Sequence, residues 1–173
     1  MSNSPGYEII RAAIPKALAQ SAAEALLAQP KHSREKYDAI ELPPVCSEIT
    51  TEFVNNTQIS VMAKLASPKA VHPQPDHVFA GMFRKTAANP KNLKTAEKGE
   101  IYATVALTPL SSGTGWYTFY EGSRANIWEI GDKTPATALS LEVGDVMVWR
   151  GDLIYCHSSG GGGMFQTIVY KEK

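Results

Sequence analysis

The stretch of the chain richest in chemistry runs from Leu141 to Ser158, Leu-Glu-Val-Gly-Asp-Val-Met-Val-Trp-Arg-Gly-Asp-Leu-Ile-Tyr-Cys-His-Ser. Gly144-Asp145 is a tight-turn signal leading into an apolar strand, Gly151-Asp152 reverses that strand, and the next one delivers His157 at its end. An imidazole changes charge near neutral pH and ligates transition metals, so a histidine there, able to face a barrel mouth, is the first candidate for a site. Asp145 and Asp152 read as turn formers offering acceptors to nearby backbone amides. Upstream, Ala106-Leu-Thr-Pro-Leu110, Ser111-Ser-Gly-Thr-Gly115 and Tyr120-Glu-Gly-Ser-Arg124 spell strand, loop, strand and turn. Strand alternation sets Trp116, Thr118 and Tyr120 on one face and Tyr117 and Phe119 on the other, an aromatic group that reads as core. No Lys-bearing helix follows Gly160–Gly163, so that run reads as a mobile loop and not a phosphate cradle. Cys46 and Cys156 lie far apart without metal-ligand spacing, which argues against a disulfide scaffold or zinc knuckle and for a reduced, cytoplasmic location.

The elements that must position these residues are those of one domain, expected to span 1–173. Apolar residues at 43% and charged residues at 20% are the balance of a chain that folds. Seventeen Lys and Arg against seventeen Asp and Glu give zero formal charge, leaving no electrostatic surplus for nucleic acid or an anionic membrane surface. No run of eighteen apolar residues and no export signal is visible at the start. Pro15 and the spacing of Leu18, Ala22, Ala25 and Leu26 predict a helix over 15–28. The pattern from Ser47 to Leu65 predicts a second, over 47–65. From Val71 onward eight strands are expected: 78–84, 101–107, 115–120, 125–130, 138–141, 146–149, 153–157 and 165–170. The segment from Thr86 to Glu100, with Lys91, Lys94 and Lys98, reads as a solvated loop.

The ordered motifs A-L-T-P-L, G-S-R, L-x-x-G-D-V-x-V-x-x-G-D-L-x-x-x-H-S and Q-T-I-V-Y, strongest over 101–170, resemble the phytanoyl-CoA dioxygenase-like branch of the Fe(II)/2-oxoglutarate oxygenases. The resemblance implies a mainly β fold with flanking helices, a double-stranded β-helix or cupin-like jelly roll. It also implies Fe(II) in a two-histidine, one-carboxylate triad and 2-oxoglutarate as co-substrate, with a small organic molecule as substrate. His157 matches the distal iron ligand and would be the catalytic centre's anchor. The early His-x-Asp has no clean match: His72, Asp76 and His77 are the candidates, in a segment that Pro73 and Pro75 would have to fold back. The family's Arg for the distal carboxylate of 2-oxoglutarate falls near Gln166, a neutral amide that cannot form the charge-assisted pair. Arg84 or Arg150 would have to substitute. Two functions therefore stand: an Fe(II)/2-oxoglutarate oxygenase, or a descendant independent of both that isomerises or cyclises a small molecule or acts as a non-catalytic partner. Association with copies of itself or with a related chain is the partner expectation.

Overall fold

The computed structural model describes residues 4–56, 71–87, 92–131 and 134–173. Eleven strands and two helices are described among them: β1 (Tyr7–Ile10), α1 (Lys16–Leu27), β2 (Lys31–Ser33), β3 (Tyr37–Ile40), α2 (Val45–Asn56), β4 (His77–Phe83), β5 (Leu93–Lys94), β6 (Glu100–Ala106), β7 (Thr118–Phe119), β8 (Thr137–Ala138), β9 (Val146–Arg150), β10 (Tyr155–Cys156) and β11 (Met164–Lys171). A seven-stranded sheet has the order β1-β9-β6-β11-β4-β3-β2, and a four-stranded sheet has the order β5-β10-β7-β8. All the strand pairs are antiparallel.

Period-two alternation divides the large sheet into two faces. Ile101, Ala103 and Val105 of β6, Val146 and Val148 of β9, and Ile168 and Tyr170 of β11 pack with the helices in one cluster. The helices answer with Ala19, Ala22 and Leu26 of α1 and Ile49 and Phe53 of α2, all buried. Their three- and four-residue spacing keeps one stripe against the sheet. The alternate residues, Tyr102, Ala106, Met147, Trp149, Phe165 and Val169, join Trp116, Phe119 and Leu153 from the smaller sheet and its loops in a second cluster. The core is thus two layers separated by the large sheet.

Turns set the register. Gly144 has φ +91, and a side chain there would strike the Ile14 carbonyl, so the Gly144-Asp145 turn packs against the entrance to α1. The Asp145 carboxylate accepts from the Ala12 and Glu142 amides at 2.9 and 2.8 Å and from Arg11 at 2.7 Å, the capping work its sequence position predicts.

Several expectations are corrected. The run 125–130 is not a strand: Ala125 has φ 58, the left-handed region in which extended pairing cannot continue, and Ile127–Glu129 forms a 3-10 turn. The predicted helix 47–65 begins at Val45 and is described to Asn56, with 57–65 outside the described residues. The Thr86–Glu100 segment contains β5, whose two residues complete the smaller sheet. Trp116, Tyr117 and Phe119 share the inner region instead of alternating, because regular pairing starts only at Thr118. Gly160 and Gly161 are packed so tightly against Ser112–Gly113 and Arg84–Lys85 that a side chain at either would collide with backbone. The glycine run is a close-packed crossing, which is why glycine is needed there. Among the described residues no helix is long and apolar enough to cross a membrane.

Candidate functional site

Between the two sheets lies a cavity of about 230 Å³ walled largely by aromatic rings. Phe79 and Phe83 reach it from β4, Phe165 from β11, Trp149 from β9, and Tyr117 and Tyr155 from the smaller sheet side. The rings are mutually ordered: Tyr117 stacks on Tyr155 at 4.3 Å and on Trp116 at 5.0 Å, and Phe83 stacks on Phe165 at 4.8 Å. An apolar cavity of roughly 150 Å³ holds a benzene-sized molecule, so this one has room for one or two fused rings. Its polar floor closes on itself. The Trp149 indole donates to Thr104 Oγ1 at 3.1 Å, and the Thr104 and Thr167 hydroxyls share a hydrogen bond at 3.1 Å.

His157, half-buried just beyond β10, adjoins this wall: its ring stacks on Tyr117 at 5.4 Å and on Tyr155 at 6.0 Å. Burial lowers its pKa; the Glu35 carboxylate opposes the shift, and Lys94 and Lys36 add to it. Glu35 is itself paired with Lys94 at 2.8 Å. The same burial pushes the Tyr155 phenol up to about 12 and the Tyr117 phenol well above its ordinary range, so both are hydroxyl donors at neutral pH.

Lys36 is 2% exposed. Its ammonium donates to the carbonyls of Arg84, Ser158 and Gly160 at 2.9, 2.6 and 2.8 Å and lies 3.1 Å from Thr86 Oγ1. One buried charge, satisfied by oxygens from two separate segments, thus fixes the backbone immediately after His157. No local pattern signals this, because the acceptors come from distant parts of the chain. Lys94, grouped with solvated lysines in the sequence reading, sits opposite Tyr155 in the β5–β10 pair.

The other candidates fall elsewhere. His72, Asp76 and His77 gather at the far end of β11, where the His72 amide donates to Lys171 and the Asp76 amide to Val169. Asp76 pairs with His77 Nδ1 at 2.8 Å, and Lys171 lies 3.6 Å from the same carboxylate. His77 lines the cavity at that end, whereas the loop after His157 bonds to Phe83 and Thr86, at the opposite end of β4. The seven residues from His77 to Phe83 span on the order of 20 Å, so the structure does not bring His157 together with His72, Asp76 or His77. The strand beside β10 presents Leu93 and Lys94 opposite Cys156 and Tyr155. Among the described residues no three His, Cys, Asp or Glu side chains are placed to hold a metal ion, and the remaining positions supply one such residue, Asp132.

The carboxylate-binding candidates also turn away. Gln166 is fully buried and donates to the Cys46 carbonyl at 2.9 Å and to Thr50 Oγ1 at 3.0 Å, on the α2 side of the sheet. Arg150 is spent on Asp152 at 2.8 Å and the Ser123 carbonyl at 2.9 Å. Arg84 donates to the carbonyls of Arg34 and Glu35 and lies 3.6 Å from Asp38. No Lys or Arg is among the residues described as lining the cavity. Iron in a two-histidine, one-carboxylate triad, and 2-oxoglutarate held by an inward cation, do not fit these residues.

No family model matches the chain, and no curated protein sequence does. Solved structures do resemble it. The non-haem alpha-ketoglutarate-dependent carbocyclase SnoK from nogalamycin biosynthesis aligns over 97% of this chain and 80% of its own, at 14% identity and TM-score 0.72. The epimerase SnoN from the same biosynthesis aligns over 96% and 78%, at 13% identity and TM-score 0.68. HygX from Streptomyces hygroscopicus, solved with nickel, 2-oxoglutarate and hygromycin B, aligns over 97% and 82%, at 12% identity and TM-score 0.69. Two antiparallel sheets with helices on the outer face of the larger, enclosing an aromatic cavity, make up a chain that shares its fold with non-haem iron, 2-oxoglutarate-dependent enzymes.

Proposed function

We propose that this protein is a descendant of the Fe(II)/2-oxoglutarate oxygenases, built on their double-stranded β-helix, that binds a small, flat, largely apolar organic molecule without metal or 2-oxoglutarate. One observation carries the reading: the space between the sheets is an aromatic cavity lined by His77, while the segment after His157 is bonded at the opposite end of β4 and Arg84 and Arg150 face away. The likeness of the motif order to the phytanoyl-CoA dioxygenase-like branch supports the descent. Stacked rings hold a planar ligand by dispersion and the hydrophobic effect and exclude water around it. His157, neutral near physiological pH because burial outweighs the pull of Glu35, stacks on the wall rings Tyr117 and Tyr155, and a neutral imidazole can accept a proton; His77 is the histidine that lines the cavity itself. Isomerisation or cyclisation by proton movement is the chemistry such a site supports. SnoK is a carbocyclase and SnoN an epimerase, both alpha-ketoglutarate-dependent, so cyclisation and epimerisation are run on this scaffold with that co-substrate. The oxygenase reading draws on the fold likeness and on the motif order that matches His157 to the distal iron ligand.

The test is calorimetric titration of naphthalene into protein held in excess chelator. Binding at one site per chain, unchanged by removing the chelator, is expected. Binding that appears only when Mn(II) and 2-oxoglutarate are both added would overturn the proposal in favour of the oxygenase.

A further inference from the structure

Among the residues described as lining the cavity, one carries a basic nitrogen, His77. The Thr104 and Thr167 hydroxyls are paired with each other, burial raises the Tyr37, Tyr102, Tyr117 and Tyr155 phenols, and an indole N–H can only donate. Along β4, His77 shares the parity of Phe79 and Phe83, which line the same cavity, whereas Val78, Ala80 and Met82 pack toward the helices. Its ring stacks on Phe79 at 6.2 Å, and its side chain is half exposed, which puts it at the cavity's mouth. A carboxylate also holds the ring. Asp76 accepts from His77 Nδ1 at 2.8 Å, is anchored through its own amide to the Val169 carbonyl at 2.7 Å, and has Lys171 3.6 Å from its other oxygen.

An ionised carboxylate can only accept, so Nδ1 carries the ring's proton and Nε2 keeps its lone pair when the imidazole is neutral. The same hydrogen bond, ahead of the nearby Lys171, holds the Asp76 carboxyl below its ordinary range. A base oriented by a third group in this way is a recurrent catalytic arrangement. We infer that His77 Nε2 is the base that meets a molecule bound in the cavity, with Asp76 as its positioning residue, and that the substrate presents an activated C–H or O–H hydrogen at the mouth. The inference rests on the proposed function and assigns its proton transfer to one residue. His157, by contrast, is stacked on Tyr117 and Tyr155 and is not among the residues described as lining the cavity.

The probe is 5-nitrobenzisoxazole, a flat molecule of two fused rings. A base takes its C3 proton, the C–H electron pair becomes the third bond of a nitrile, and the ring N–O bond breaks to release a coloured phenolate; the proton then passes from His77 to water. Turnover by the unmodified protein is expected, with naphthalene as a competitive inhibitor because base and cavity form one site. His77→Ala should lower kcat/KM about 100-fold, a modest general-base contribution, and added imidazole should restore part of the loss, which an unfolded chain could not do. Asp76→Asn should lower kcat and leave KM as it was; a change in KM alone would remove Asp76 from the mechanism. Naphthalene binding without turnover in the unmodified protein would overturn the inference while leaving the cavity reading intact, and it needs no variant to fold. Turnover lost in His157→Ala and kept in His77→Ala would do the same. Failure of naphthalene to bind would overturn both.

Discussion

On β6, β9 and β11 the residues turned to the helices include Ile101, Val148 and Ile168, whereas those turned to the smaller sheet include Tyr102, Trp149 and Phe165. Branched aliphatic side chains interdigitate with helix stripes until little space remains. Rigid rings that stack in preferred geometries cannot fill the gap between two sheets in the same way, and a cavity survives among them. The outer face holds the fold together; the inner face gives up packing and keeps a cavity. Gln166 and Arg150 share the outward parity of Ile168 and Val148, which is why neither reaches the cavity.

The strongest break in that comparison is Ile168→Ala. Ile168 is fully buried among the helices, and its truncation is expected to cost about 3 kcal/mol in denaturant unfolding, with naphthalene affinity unchanged. A parallel loss of affinity would mean the faces are not independent. Lys36→Met comes next, at about 2 kcal/mol, because three buried carbonyls lose a charged donor. Amide exchange at Gly160–Gly163 should rise with it, and unaltered exchange there would refute the clamp.

Asp145→Asn is expected to cost about 1.5 kcal/mol at neutral pH. Burial opposes ionisation of Asp145, but the Ala12 amide, Arg11 and the Glu142 amide outweigh it and hold the carboxyl below its ordinary range. A depressed folded pKa means the stabilisation is complete above the unfolded value of about 3.9 and is lost as pH falls through the folded one. The gap between the two proteins should therefore close in acid; a gap that stays constant to pH 2 would contradict the assignment. Smallest is Thr104→Val, about 1 kcal/mol, which leaves the Trp149 N–H without its acceptor. It should lower stability without tightening naphthalene binding.

Much of this architecture was legible in the chain. The apolar stripe of α1, the alternation of β9 and β11, and the Gly144-Asp145 turn are local patterns, and local patterns survive into structure. Strands β2, exposed throughout, and β5, two residues long, carry no such pattern, since an edge and a short rung are defined only by their neighbours. The run 125–130 has strand composition but a backbone bend that composition does not report. His157 lies just beyond β10, whereas the sequence predicts a strand running through it, over 153–157. What surrounds it was not legible: Glu35, Lys36 and Lys94 arrive from other segments, and the separation of His77 from His157 is a matter of which end of a strand each occupies. Parity alone would have grouped Gln166 with Ile168, but which parity faces the cavity is decided by where the helices dock.

The central claim is that this fold operates here without the iron triad, and Mn(II) electron paramagnetic resonance tests it most directly. With equimolar protein and saturating 2-oxoglutarate, the six-line spectrum of free Mn(II) should persist at full intensity, in the unmodified protein and in His157→Ala alike. Loss of that signal in the unmodified protein, restored by His157→Ala, would show a metal centre at His157 and contradict the account.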